Sequence, residues 1–176
     1  MELLNDLAAW AWARHHNPLS WYIRPLFLLP FCYFAWRRSA WGVALTLVAL
    51  ATSMAWFPPP ATIDPRAVEF LRHERDYLFG PWTPVKTLTM LSIPAFLIGL
   101  GMAFWRRSWI LGLLIANAGM LFKVWWSFHY GGDSGWTLVP VAVAGILIFN
   151  AAVLWTAGRR RGAAQETAAG TPLGRD

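Results

Sequence analysis

Cysteine is almost missing from this chain, and acidic residues are scarce. Cys32 is the single cysteine, so neither an internal disulfide nor a cysteine-rich metal site can form. It lies within an apolar run, where its ordinary role is that of a small buried side chain. Only 14% of the 176 residues are charged, and nine are Asp or Glu, whereas soluble domains carry about 25% charge. So few charges do not cover a water-facing surface. The 57% hydrophobic content and mean hydropathy of +0.40 instead assign the surplus to lipid, in one membrane domain with no room for a second folded unit. The N-terminus lacks the basic region and long apolar core of a cleaved signal peptide. Also missing is any motif that specifies a reaction. Gly131-Gly132-Asp133-Ser134-Gly135 matches neither G-x-G-x-x-G nor G-x-S-x-G, and its ordinary reading is a turn.

The arginines are present, and they are placed in blocks. Arg37-Arg38, Arg106-Arg107 and Arg159-Arg160-Arg161 each close an apolar run. The net charge of +6 therefore reads as a set of topology signals rather than a phosphate-binding patch, and no nucleic-acid partner is expected. Between these blocks the sequence predicts an all-α integral membrane protein, a bundle of five spans at about residues 18–36, 40–57, 84–105, 109–128 and 136–156. A run of about 20 apolar residues suffices to cross the hydrocarbon core. Residues 1–17 form an interfacial N-terminal segment, and residues 157–176 a disordered cytoplasmic tail.

Local signals set the expected boundaries. Asn17, Ser39, Asp64 and Ser108 are N-cap candidates, Pro18 and Pro65 suit first turns, and Gly80 is a stop. Pro94 marks a kink in the third span. Residues 65–79 form an outer amphipathic helix. Ala67, Phe70, Leu71, Tyr77 and Leu78 fall on one of its faces, and Glu69, Arg72, His73 and Asp76 on the other.

The chain also resembles itself. A shift of 69 residues places Pro25 on Pro94, Trp36 on Trp105, Arg37-Arg38-Ser39 on Arg106-Arg107-Ser108, and Trp56 on Trp125. The expected architecture is thus two parallel repeated hairpins plus a fifth span. With five spans, all the arginine blocks fall on one side. The positive-inside rule makes that side cytoplasmic, with the N-terminus outside, in a membrane of the bacterial inner (plasma) type. The thirteen tryptophans cluster at predicted span ends as an aromatic belt.

Glu74 breaks the amphipathic pattern, because it projects from the apolar face. A carboxylate there needs a partner or must be neutral. Lys123 and Arg24 are the cations at hand, both toward the outer ends of their spans. Pairing would dock the 65–79 helix onto the bundle, and that structural role is the ordinary one. The functional version is a proton or ion site near the outer mouth. Glu74, Lys123, His129, Asp133 and Arg24 make up the candidate outer polar cluster. His15, His16 and His129 are candidate zinc or copper ligands, although adjacent histidines on a helix point apart. Asn117 and Asn150, each within a span, are expected to bond between helices.

No cofactor is specified by these residues. The lead reading is a non-enzymatic protein, a small transporter or an accessory subunit, whose partners are the lipid bilayer and either a protein partner or further copies of itself. The alternative is a membrane enzyme acting on a lipid-like substrate at the outer interface, with Glu74, His129 and Asp133 as acid-base groups and Lys123 as an anion contact. That alternative requires these side chains to meet in one pocket.

Overall fold

The computed structural model describes residues 2–62 and 64–169. It is all-helical, with no strand among the described residues. Among the described residues eight α-helices run in order: α1 Glu2–His15, α2 Pro18–Leu26, α3 Leu28–Trp36, α4 Ala40–Thr52, α5 Pro65–Phe79, α6 Pro84–Trp105, α7 Trp109–Gly131 and α8 Val139–Ala169. Short 3-10 turns follow α4 (Ser53–Ala55) and α7 (Gly132–Leu138).

The caps act where they were expected. Asn17 accepts from the Leu19 amide, Ser39 from Gly42, Asp64 from Arg66 and Ser108 from Leu111. Each satisfies an amide that the first helical turn leaves without a partner. Gly80 ends α5. Pro94 lies inside α6, which continues through it to Trp105.

Among the described residues three helical stretches are long and apolar enough to cross a membrane: Pro84–Trp105, Trp109–Tyr130 and Gly132–Arg159. The first two expected spans take a different form. Residues 18–36 are two helices of nine residues meeting at Phe27. Pro30 has no N–H for the Leu26 carbonyl, four residues back, and its ring crowds that position. The first helix therefore ends at Leu26. The second expected span is the shorter helix Ala40–Ala55, which at about 1.5 Å per residue falls short of a ~30 Å hydrocarbon core.

Two further boundaries differ from expectation. The tight loop expected at 129–135 is mostly helical, because α7 runs on to Gly131 and a 3-10 turn carries the chain to Leu138. The disordered tail expected from residue 157 is helical through Ala169. Ala163, Ala164, Gln165, Glu166, Ala168 and Ala169 are mostly strong helix formers, so α8 propagates beyond its apolar part. The rest of that tail lies outside the described residues.

The hairpins α3–α4 and α6–α7 turn in the same way. Arg38 and Arg107 both adopt left-handed backbone, φ 55° and 59°. In the first turn the Ser39 amide donates to Phe34 O and the Arg38 amide to Ala35 O; in the second, Ser108 donates to Ala103 O and Arg107 to Phe104 O, all at 2.9 Å. These bonds satisfy the last carbonyls of α3 and α6. Across the two turns, Arg38 Nε donates to Trp105 O at 3.3 Å, and the Arg107 guanidinium lies 5.9 Å from the Trp36 ring. Gly42 and Gly112 let each hairpin close tightly, since a Cβ there would strike the rings of Phe34 and Phe104.

The main core joins the hairpins to α8 through Phe31, Cys32, Trp36, Leu100, Phe104 and Phe149. Asn117 and Asn150 exchange amide bonds in both directions at 2.9 Å between α7 and α8. A second cluster of Trp21, Ala67, Phe70, Leu71 and Val141 holds α5 against α2 and α8.

Candidate functional site

The packing of α5 leaves a partly enclosed cavity of about 450 Å³ between α2, α5, α6, α7 and α8. Helical periodicity explains its walls. Phe70, Glu74, Tyr77 and Leu78 recur on one face of α5, and Trp21, Arg24, Pro25 and Leu28 do the same along α2 and into α3. All eight line the cavity, as do Phe96, Leu97, Met120, Val141 and Ala142. Its surface is predominantly apolar, and His15, Arg24, Glu74 and Lys123 supply its basic and acidic groups beside the Tyr77 phenol.

Of the expected polar cluster, the fold brings Arg24, Glu74 and Lys123 to this cavity. His129 and Asp133 are not among its lining residues. The His129 ring stacks on Trp125 with centroids 5.2 Å apart, and Asp133 is exposed in the 3-10 turn after α7.

His15 takes a place that the sequence reading had not foreseen. It is 5% exposed. Its Nδ1 lies 3.0 Å from Arg24 Nη2, and its Nε2 lies 3.8 Å from Glu74 Oε2. A guanidinium only donates, so Nδ1 accepts and the ring hydrogen sits on Nε2, facing Glu74. The imidazole is therefore neutral in this arrangement. The separation from Glu74 is within ion-pair range but longer than a hydrogen bond. No local signal announced this role, because it requires α1 to fold back against α2 and α5. One trace was present: Asn17-Pro18 starts a new helix just after His15. In the structure the Trp21 indole of that helix donates to His15 O at 2.9 Å.

The histidines expected as metal ligands are not gathered. His15 is committed to Arg24 and faces Glu74, His16 Nδ1 bonds Trp12 O at 2.9 Å, and His129 lies on Trp125. Among the described residues no group of three His, Cys, Asp or Glu is arranged to hold a metal ion. The physical reason is the one anticipated for His15-His16: neighbours on a helix diverge.

Lys123 opens into the cavity, with Nζ 4.6 Å from the Trp126 ring centroid. It attracts Glu74, as does Arg24. Burial alone would push the Glu74 carboxyl up. The polar Nε2–H of His15, facing the carboxylate, and the nearby positive charge of Lys123 and Arg24 outweigh it and hold the carboxyl below its ordinary range. Glu74 is thus a carboxylate held by several neighbours together, rather than by Lys123 or Arg24 alone.

Lys86 was passed over in the sequence, although it follows a helix stop and a Thr83-Pro84 start. It is buried, and Nζ donates to Leu78 O at 2.7 Å and Gly80 O at 2.9 Å. These are final carbonyls of α5, where a cation is favoured. Nζ also lies 4.9 Å from the Trp82 ring. Beside it, the hydroxyls of Tyr77 and Thr89 are hydrogen-bonded, tying α5 to α6. Compared with protein-family models, curated proteins and solved structures, the chain matches none.

Proposed function

We propose that this chain is a non-enzymatic membrane protein that holds a lipid-like molecule in the cavity beneath α5, as a small transporter or as an accessory subunit. The observation that carries the reading is the union, in one cavity, of apolar walls with Arg24, Glu74 and Lys123. Ligand sites are commonly apolar, about 300–1,000 Å³, with a few convergent polar groups. In this reading the chain spans five times, with the broken pair α2–α3 and the short α4 completing the bundle. Interrupted helices are tolerated at membrane depth where protein covers the freed backbone. The arginine turns face the cytoplasm, α5 lies on the outer side, and the matching Arg-Arg-Ser turns support a duplicated hairpin.

The alternative, a lipid-acting enzyme, draws support from His15 beside Glu74, an acid-base pair at the cavity wall. It loses support from His129 and Asp133, which lie elsewhere. Ser92 lines the cavity, but its hydroxyl donates to Thr89 O at 2.6 Å.

Native mass spectrometry of protein released from nanodiscs tests the proposal. The expected result is a retained lipid-sized adduct, lost when Ile93→Trp fills the cavity. Bare protein from every lipid background would refute it. A reproducible protein partner would select the accessory form over the transporter form.

A further inference from the structure

We infer that the ligand of this cavity is an amphiphile with a single negative charge, whose headgroup is gripped by Arg24 and Lys123 in competition with the Glu74 carboxylate. The inference rests on the proposed lipid-holding role and adds the chemistry of the ligand.

The donors and acceptors at the charged groups do not balance. A guanidinium offers five N–H donors and an ammonium three. Arg24 uses one of them on His15. Among the described residues the Lys123 ammonium makes no hydrogen bond and rests over the Trp126 ring at 4.6 Å. The one carboxylate present, Glu74, stands 3.8 Å from its nearest partner, His15. Donors are therefore in surplus, and hydrogen-bond acceptors are what the site lacks.

The charges are also unequal. Arg24 and Lys123 are two cations facing one carboxylate, and His15 adds none, because it accepts at Nδ1. One further negative charge neutralises the group. A dianion would overshoot, and a cationic headgroup would meet repulsion. A carboxylate or a phosphodiester meets both needs, since each carries one charge and several acceptor oxygens, and charge-assisted bonds to Arg and Lys are the strong kind. The apolar remainder of such a molecule lies along Phe96, Leu97, Met120, Val141 and Ala142. Glu74 carries the same charge as the headgroup, so its field competes with the headgroup for Arg24 and Lys123.

Radiolabelled oleate binding to the full chain in detergent micelles tests the inference. Saturable binding is expected, with oleyl alcohol competing about tenfold more weakly than unlabelled oleate. Arg24→Met and Lys123→Met should each weaken oleate binding about tenfold or more, while Lys123→Arg, which keeps the charge, retains it. Glu74→Gln should tighten binding by removing the competitor. Lysophosphatidylglycerol competing as well as oleate supports the singly charged headgroup in phosphodiester form. Equal binding of acid and alcohol, indifferent to both Met variants, would overturn the inference and leave the lipid-holding cavity standing. Displacement of oleate by inorganic phosphate would overturn the amphiphile in favour of a soluble anion. No saturable binding of acid or alcohol would remove the cavity reading itself. The Lys123→Arg and Lys123→Met pair separates lost charge from lost folding.

Discussion

Arg24 Nη2 sits 3.0 Å from His15 Nδ1, and that bond decides which face of the imidazole meets Glu74. A neutral ring thereby stands between a guanidinium and a carboxylate, and it holds α1, α2 and α5 to one point.

His15→Phe removes the acceptor for Arg24 and leaves a partly buried guanidinium with one bond fewer. The expected cost is about 1–3 kcal/mol, or a melting temperature lower by about 2–4 °C per kcal/mol. His15→Gln, whose side-chain oxygen can accept, should recover part of it. Thermal unfolding in detergent followed by circular dichroism reads both, and equal losses for Phe and Gln would contradict the bond.

Glu74 sets an acid limit. Its folded carboxyl holds a proton less readily than the unfolded one, so its contribution is fully present above the unfolded value of about 4.3. It is lost as pH falls through the lower folded value. The melting-temperature gap between the wild type and Glu74→Gln should therefore be constant near neutrality and close in acid. A gap that widens as pH falls would reverse the assigned sign.

Arg38 occupies left-handed backbone, φ 55°, a conformation that costs a residue with a Cβ about 1–2 kcal/mol. Arg38→Gly relieves that strain and forfeits the bond to Trp105 O, so its expected effect on stability is small and of either sign. Arg38→Val, β-branched in the same conformation, should lose about 1 kcal/mol or more. Unfolding midpoints of the two variants should separate in that order.

Asn117 and Asn150 form a closed amide pair. Either single change to Leu leaves one amide without its partner, and the double change leaves none. The coupling in a double-mutant cycle should be about 0.6 kcal/mol, the average for such bonds between membrane helices, and at most about 1.7 kcal/mol. Additive losses would show that the pair does not act as a unit.

The proposed topology of five spans with the N-terminus outside predicts an accessibility pattern. In a Cys32→Ser background, Thr62→Cys and Asp133→Cys should label with an impermeant thiol reagent added to intact cells, and Gly158→Cys should label only after lysis. Labelling of Gly158→Cys from outside would refute the proposed orientation. Cys32 itself, buried at 4% exposure, should stay unmodified until the protein is denatured.

Local chemistry was the most legible part of the sequence. A cap depends on one side chain and amides two or three residues away, so Asn17, Ser39, Asp64 and Ser108 could be read without tertiary knowledge. Glu74 stood out for a similar reason, because the helical period alone places it among apolar neighbours. Contacts across distant elements were harder to read. His15 meets Arg24 and Glu74 only after three helices pack, and in the sequence it looked like half of a histidine pair. The break at Phe27 was available in principle from Pro25 and Pro30, but the apolar run around them outweighed two prolines. The helical extension past residue 157 was hidden because a polar, alanine-rich segment suits a helix and a disordered tail equally.

Lys86 has a mechanical consequence. Its bonds to Leu78 O and Gly80 O, with the Tyr77–Thr89 bond, clamp the C-terminal end of α5 to α6. Toward the other end, Ala67, Phe70 and Leu71 are buried in the cluster with Trp21 and Val141. The helix is therefore fixed on both sides of Glu74, and its carboxylate is carried by a strut tied down at two separate points.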